Sequence, residues 1–145
     1  MSTAQQMLNR ALDFYGLKEI PGPENNPIIM GWFKDLGFTW VQGDETAWCS
    51  CFVNYLAWDL GLERSGKLNA RSWLGVGSSV DNPEKGDVVV LWRENIDSWR
   101  GHVGLFIRKD QTHIWILGGN QNNSVSIAPY PKGRLLDYRS LNVMT

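Results

Sequence analysis

DETAWCSCFVNYLAWDL, residues 44–60, predicts a helix that carries a thiol at its start. Asp44 or Thr46 can cap this helix, because such side chains accept hydrogen bonds from the unpaired N–H groups of a first turn. Gly61 is its expected end. Steps of three and four residues from Cys49 meet apolar positions throughout, so we expect the thiol on the face that packs inward. Those positions are Phe52, Val53, Leu56, Ala57 and Leu60.

The position of Cys49 is typical of a reactive thiol. A thiol in a first helical turn lies close to unpaired backbone N–H groups, which stabilise the thiolate and lower the pKa from about 8.5 toward roughly 3.5–7.5. Simple packing is the alternative, because free Cys is among the most buried residue types. Cys51 points in a different direction on a helix, so we expect two free thiols rather than a strained disulfide.

Length and charge restrict the class of protein. The chain has 145 residues, which suits one domain spanning residues 1–145. A net charge of −1 and the lack of a basic run argue against binding to nucleic acid or anionic lipid. Two Cys and two His show no metal-ligand spacing, so no metal or cofactor is predicted.

The first residues bear on where the protein is made. Residues 1–10, MSTAQQMLNR, lack the apolar core of a signal peptide, and no run approaches membrane-spanning length. We therefore expect a protein that is made in the cytoplasm and does not insert into a membrane. If it acts outside the cell, another factor must release it.

Helical patterns come first along the chain. Residues 3–15 and 27–36 predict two helices before the thiol helix, and residues 70–74 predict a brief one after it. Strand patterns follow at residues 87–92, 103–107, 113–117, 125–128 and 135–138. The order predicts an α+β fold, with N-terminal helices packed on a five-stranded antiparallel sheet.

A thiol nucleophile needs a base, and the chain offers His102 and His113. A hairpin with a loop of about three residues sets His102 opposite or diagonal to Asn120, which could then fix its tautomer. Gly104 and Gly118 share that face and lack side chains, so we expect a helix to approach it closely, with the thiol above His102. His113 falls on the other face.

Structural roles remain open for each of these residues taken alone. A histidine at the start of a strand often has a structural role, and residues 118–123, GGNQNN, have the composition of a turn. A thiol at a helix start, an imidazole at a strand start and a carboxamide at a strand end are together the set that a thiol hydrolase uses. Cys49, His102 and Asn120 are therefore the candidate catalytic residues.

Four segments together resemble the CHAP and NlpC group of papain-like cysteine amidohydrolases and peptidases of bacterial cell walls. They are WCSCFV (48–53), PEKGDVVV (83–90), GHVG (101–104) and LGGNQ (117–121). The resemblance implies a papain-like fold with Cys49 as nucleophile, His102 as general base and Asn120 as the residue that orients the imidazole. Many CHAP members also carry an acidic residue just before that Asn, where this chain has Gly118 and Gly119.

The resemblance implies hydrolysis of an amide bond in peptidoglycan, by a muramoyl-alanine amidase or a stem-peptide endopeptidase that requires no metal or cofactor. Cys51 stands where relatives often have a small residue, and we interpret it as a space-filler. We expect a monomeric, bacteriolytic phage endolysin; a secreted amidase effector toxin is an alternative. Another alternative is a non-catalytic wall-binding module, since some of the eight Trp residues could line a groove for sugar rings.

Overall fold

The computed structural model describes residues 1–20, 25–43 and 47–144. Its first part is helical, with α1 (Thr3–Leu12), α2 (Pro27–Asp35) and α3 (Cys49–Asp59). Its second part holds the strands β1 (Ser78–Ser79), β2 (Val88–Trp92), β3 (Gly101–Lys109), β4 (His113–Gln121), β5 (Ser124–Pro131) and β6 (Leu135–Ser140). Short 3₁₀ turns cover Ala70–Gly75 and Lys132–Arg134. None of the helices in the described ranges is long and apolar enough to span a membrane.

The strands form one antiparallel sheet in the order β1-β6-β2-β3-β4-β5. This confirms the predicted α+β fold, in which the helices come first and pack on the sheet. Over the described residues the sheet has six strands rather than five, because β1 pairs with Arg139 and Ser140 of β6. Two residues are too few to show an alternating pattern, so the sequence gives no sign of this strand.

Helix α3 begins at Cys49, with Trp48 as its N-cap and without a side-chain capping hydrogen bond. The predicted caps, Asp44 and Thr46, lie outside the described residues, and both precede the N-cap position that the structure gives. The helix ends as predicted: Gly61 has a φ of +70°, and the N–H of the next residue turns back to the carbonyl of Ala57 at 2.8 Å.

Helix α3 packs on the face of the sheet opposite to the predicted one. The apolar cluster that contains its side chains includes, from the sheet, Val88, Val90, Val103, Leu105 and Leu117. Burial of these side chains against α3 stabilises the contact. Gly119, whose position would put a Cβ 2.7 Å from the Trp48 ring, is the glycine that allows the close approach.

Candidate active site

The Cys49 thiol lies in the first turn of α3, where the His102 side chain acts on it and stabilises its thiolate. Cys49 is only 6% exposed, and this burial acts to raise its pKa. The hydrogen bond and charge of His102, together with the backbone N–H groups of Val103 and Ser50, outweigh burial and hold the pKa of the Cys49 thiol below its usual value. The structure therefore brings together two of the three predicted residues, in an arrangement that favours a thiolate.

Gln121 fixes the other side of the His102 ring. Its Oε1 lies 2.9 Å from His102 Nε2, while its own Nε2 donates to the carbonyls of Ile116 at 3.0 Å and Ser126 at 2.7 Å. Because both amide hydrogens are used, Oε1 must be the acceptor, and His102 Nε2 must carry the proton. This leaves Nδ1 as the ring nitrogen that can exchange a proton with the thiol.

Asn120, which the sequence predicts as the orienting residue, does not make this hydrogen bond. The prediction assumed unbroken alternation along β4, but Asn120 has a φ of +57°, and the pairing of β4 with β5 shifts between Gly118 and Gln121. The irregular backbone brings the next side chain, that of Gln121, back to the face that carries His102. Asn120 lines the cleft beside the imidazole instead.

Gly118 makes room for the Gln121 amide. A Cβ at this position would lie 2.6 Å from Gln121 Oε1 and 3.4 Å from His102 Nε2. Any side chain there would displace the amide, so the glycine and the glutamine act as a pair. The run of Asn residues is the signal that could have shown this, because Asn tolerates positive φ and marks where strand alternation can break.

Tyr130 is a further residue of the site that sequence reasoning missed. Its ring stacks on the His102 ring with centroids 5.0 Å apart, and its hydroxyl lies 3.3 Å from His102 Nε2. Burial, together with the charge of the Cys49 thiolate, raises the pKa of Tyr130 to about 12 against the opposing charges of Arg93 and Arg134. Tyr130 is therefore a neutral phenol that restrains the imidazole. Its place on β5 gave no motif from which to predict this contact.

Cys51 and His113 lie apart from this pair. Cys51 is fully buried, and burial first and the neighbouring Cys49 charge second raise its pKa. His113 begins β4 at the hairpin end of the sheet, where its Nδ1 lies 2.8 Å from Thr112 Oγ1. Neither geometry suits a catalytic group, in agreement with the interpretation of Cys51 as a space-filler.

Glu19 fixes the residue that precedes the thiol. The indole Nε1 of Trp48 donates to Glu19 Oε1 at 2.6 Å, and Trp48 is fully buried between α2, α3 and the sheet. Because Trp48 is the N-cap of α3, this hydrogen bond holds the start of the helix in place. The position of the thiol thus depends on a residue from the segment that follows α1.

Two clefts open on either side of the thiol–imidazole pair. The cleft on the His102 side has a volume of about 250 Å³ and is lined by residues that include Trp92, Asn120, Gln121, Tyr130 and Arg134. The cleft on the Cys49 side has a volume of about 210 Å³ and is lined by residues that include Ala47, Asn69, Trp99 and Arg100. Arg93 lines both clefts.

An N-terminal thiol helix packed on an antiparallel sheet, with the thiol against a strand imidazole, defines a papain-like α+β protein. The CHAP domain family profile matches residues 41–120, which is more than half of the chain, and the chain belongs to this family of peptidoglycan hydrolases. The match includes Cys49, His102 and Asn120 and stops one residue before Gln121.

The fold is similar to a crystal structure described as similar to a lipoprotein of the NLP/P60 family, from Staphylococcus aureus subsp. aureus Mu50. The TM-score is 0.51 at 14% identity, and the similarity covers 99% of this chain and 42% of that protein. At this identity the likeness concerns the papain-like fold alone. No curated protein sequence matches the chain.

Proposed function

We propose that this chain is a cysteine amidase or endopeptidase that hydrolyses an amide bond in peptidoglycan. The observation that carries the proposal is a thiol in the first turn of α3 whose pKa is lowered by His102, an imidazole whose Nε2 is fixed by Gln121. The pair lies between two clefts and can therefore meet a bound chain. Membership of the CHAP family supports peptidoglycan as the substrate.

In the first half of the reaction, the thiol proton moves to His102 Nδ1, which gives a thiolate and an imidazolium. The Cys49 sulfur attacks the carbonyl carbon, and the electron pair of the C=O bond moves to the oxygen. The Cys49 backbone N–H, at the start of α3, is positioned to donate to this oxyanion. His102 then gives its proton to the leaving nitrogen, the C–N bond breaks, and a thioester to Cys49 remains.

In the second half, His102 takes a proton from water as the water oxygen attacks the thioester. The C–S bond breaks, the carboxylic acid leaves, and the thiolate–imidazolium pair is restored. Through both halves Gln121 Oε1 accepts the Nε2–H, so the ring keeps one orientation while its other nitrogen gains and loses a proton.

Analysis of released muropeptides by mass spectrometry tests this function. Purified peptidoglycan incubated with the protein should release new amino and carboxyl groups in equal amounts. A muramoyl-alanine amidase frees whole stem peptides from the sugar chain, whereas an endopeptidase leaves part of each peptide attached. Binding to the wall without new termini would contradict the proposal and favour a non-catalytic module.

We also propose that this activity lyses a bacterial host as part of a phage endolysin that reaches the wall after release from the cytoplasm. The family's substrate supports this role. Cells that express the chain in the cytoplasm should grow normally and then lyse within minutes when chloroform opens the membrane. Cells that express Cys49→Ala should remain turbid after the same treatment. Survival of both cultures would contradict an endolysin role.

Iodoacetamide is expected to label Cys49 much faster than Cys51. His102 and the backbone N–H groups keep the Cys49 thiolate populated below the pH at which an ordinary thiol, with a pKa of about 8.5, becomes protonated. As the pH is lowered, the alkylation rate of glutathione should therefore fall first and that of Cys49 only at a lower pH. Burial raises the pKa of Cys51 and keeps this thiol unreactive. Timed labelling followed by peptide mapping measures both rates. Equal rates for the two thiols would contradict an activated Cys49.

Gln121→Ala is expected to lower kcat about 10- to 100-fold with little change in KM, because His102 loses the group that holds its proton on Nε2. Gln121→Glu should recover part of this loss, since a carboxylate accepts the same hydrogen bond but cannot donate to Ile116 and Ser126. Asn120→Ala is the matched control and should stay close to the parent rate. A large loss of kcat in Asn120→Ala, with none in Gln121→Ala, would show that Asn120 orients the imidazole.

A further inference from the structure

We propose that Arg93 and Arg134 form a subsite that binds a carboxylate of the peptidoglycan stem peptide next to the amide that is cut. The subsite deepens the proposed hydrolase function and rests on it. Both side chains line the cleft that His102 also lines, and among the residues that the structure describes no Asp or Glu lines this cleft. A ligand group in the cleft therefore meets two cations within reach of the reacting atoms.

Neither guanidinium is neutralised within the part of the chain that the structure describes. The ion pairs there join other residues, among them Arg100, which binds Glu94 at 3.0 Å. The charges of Arg93 and Arg134 both reach the Tyr130 hydroxyl, where each acts to lower the pKa of the phenol. Since that hydroxyl contacts His102 Nε2, the positive potential extends to the catalytic imidazole.

Packing holds Arg134 in place. Its guanidinium lies over the Trp92 ring at 5.5 Å from the centroid, and the Trp92 indole Nε1 donates to the Gly133 carbonyl at 3.1 Å. Trp92 thus anchors both the side chain and the backbone of the 3₁₀ turn that carries Arg134. A cation fixed in this way loses little side-chain freedom when it binds an anion.

The loop that begins with Arg93 is also fixed. Arg71 donates hydrogen bonds to the carbonyls of Asn95 at 2.9 Å, Ile96 at 2.7 Å and Arg100 at 2.8 Å. This clamp sets the path of residues 93–100 between β2 and β3, so that Arg93 faces both clefts. The cleft therefore presents two cations, one on a loop whose path Arg71 fixes and one held against the Trp92 ring.

A carboxylate fits this site better than a neutral group. Guanidinium forms paired, charge-assisted hydrogen bonds with carboxylates, and stem peptides carry carboxylates within a few bonds of their amides. A phosphate of another wall polymer offers similar chemistry but would not be attached next to the amide. Chemical amidation separates the two sources, because carbodiimide and ammonium convert carboxylates into amides and leave phosphate diesters unchanged.

The first experiment compares untreated and amidated peptidoglycan as substrates. The parent protein should cut untreated wall about 10- to 100-fold more efficiently, which is the range of one charge-assisted hydrogen bond. The double variant Arg93→Gln/Arg134→Gln should cut both walls at the same rate. Its rate on untreated wall should fall, and its rate on amidated wall should stay that of the parent protein. Arg108→Gln is the matched control, because Arg108 lies six residues from His102 along β3, roughly 20 Å away. A preference that survives in the double variant would overturn the proposal, as would equal cutting of both walls by the parent protein.

The second experiment needs no hydrolysis and measures alkylation of Cys49 by iodoacetate and by iodoacetamide. The parent protein should favour the anionic reagent more than glutathione does, and Arg93→Gln/Arg134→Gln should lower this rate ratio roughly two- to tenfold at low salt. Arg108→Gln should leave it unchanged. If neither wall is cut, the hydrolase function fails while the alkylation ratio still decides whether the anion site exists. An unchanged ratio in the double variant would overturn the subsite.

Discussion

Cys49→Ala is expected to reduce peptidoglycan hydrolysis to the background rate while the protein stays folded. Among the described residues that line the two clefts, Cys49 is the one that carries a thiol. Loss of a nucleophile in such systems costs on the order of 10⁴-fold or more in kcat. The removed sulfur is a small part of the buried α3 surface, so the fold should persist. Initial rates of amine release measure the effect, and thermal unfolding by circular dichroism checks the structure.

Cys51→Ala serves as the control for this variant. It removes the same atom from a buried position two residues further along α3, but burial raises the pKa of the Cys51 thiol, which no hydrogen bond joins to His102. Its rate should remain within a few-fold of the parent rate. Full hydrolysis by Cys49→Ala, or its loss in Cys51→Ala with the fold intact, would show that the nucleophile has been misassigned.

His102→Ala is expected to have the second largest effect, a loss of kcat of about 10³-fold or more. Without His102, burial of Cys49 acts unopposed by the imidazole and raises the pKa of the thiol, so the thiolate becomes scarce at neutral pH. The iodoacetamide rate of Cys49 should therefore fall as well, and higher pH should restore it. Both rates can be measured on one preparation.

His113→Ala should hydrolyse peptidoglycan at close to the parent rate. His113 lies at the hairpin end of the sheet, where Thr112 binds its ring and Trp115 lies beside it. His102→Ala and His113→Ala thus compare the two imidazoles that are candidate bases when only the sequence is considered. The opposite pattern, with His113→Ala inactive and His102→Ala active, would mean that the structure places the wrong histidine against the thiol.

Periodicity along the chain was enough to predict the class of fold and two of the site residues. Apolar spacing located α3 and its thiol, and the strand patterns located β2 to β6 in order. Cys49 and His102 could be paired because each stands at the start of a regular element. The periodic pattern of the element locates that start. The packing of α3 on the sheet is therefore enough to bring Cys49 and His102 together.

The remainder of the site depends on irregular backbone, which periodicity does not describe. The positive φ of Asn120 breaks the alternation of β4 and gives Gln121 the position predicted for its neighbour. The helix lies on the opposite face from the predicted one, where it packs against Val103, Leu105 and Leu117. Tyr130 reaches His102 only through the pairing of β5 with β4, which puts Tyr130 opposite Ile114.

Gly118 stands near the place where many CHAP members carry an acidic side chain, and this has a consequence for other members of the family. A relative with glycine there would look like a degenerate, inactive copy if it were judged by that single position. The amide that Gln121 supplies from three residues downstream shows how such a copy can keep a fully supported imidazole. We therefore expect a relative with this glycine and a carboxamide three places on to keep its imidazole in one orientation.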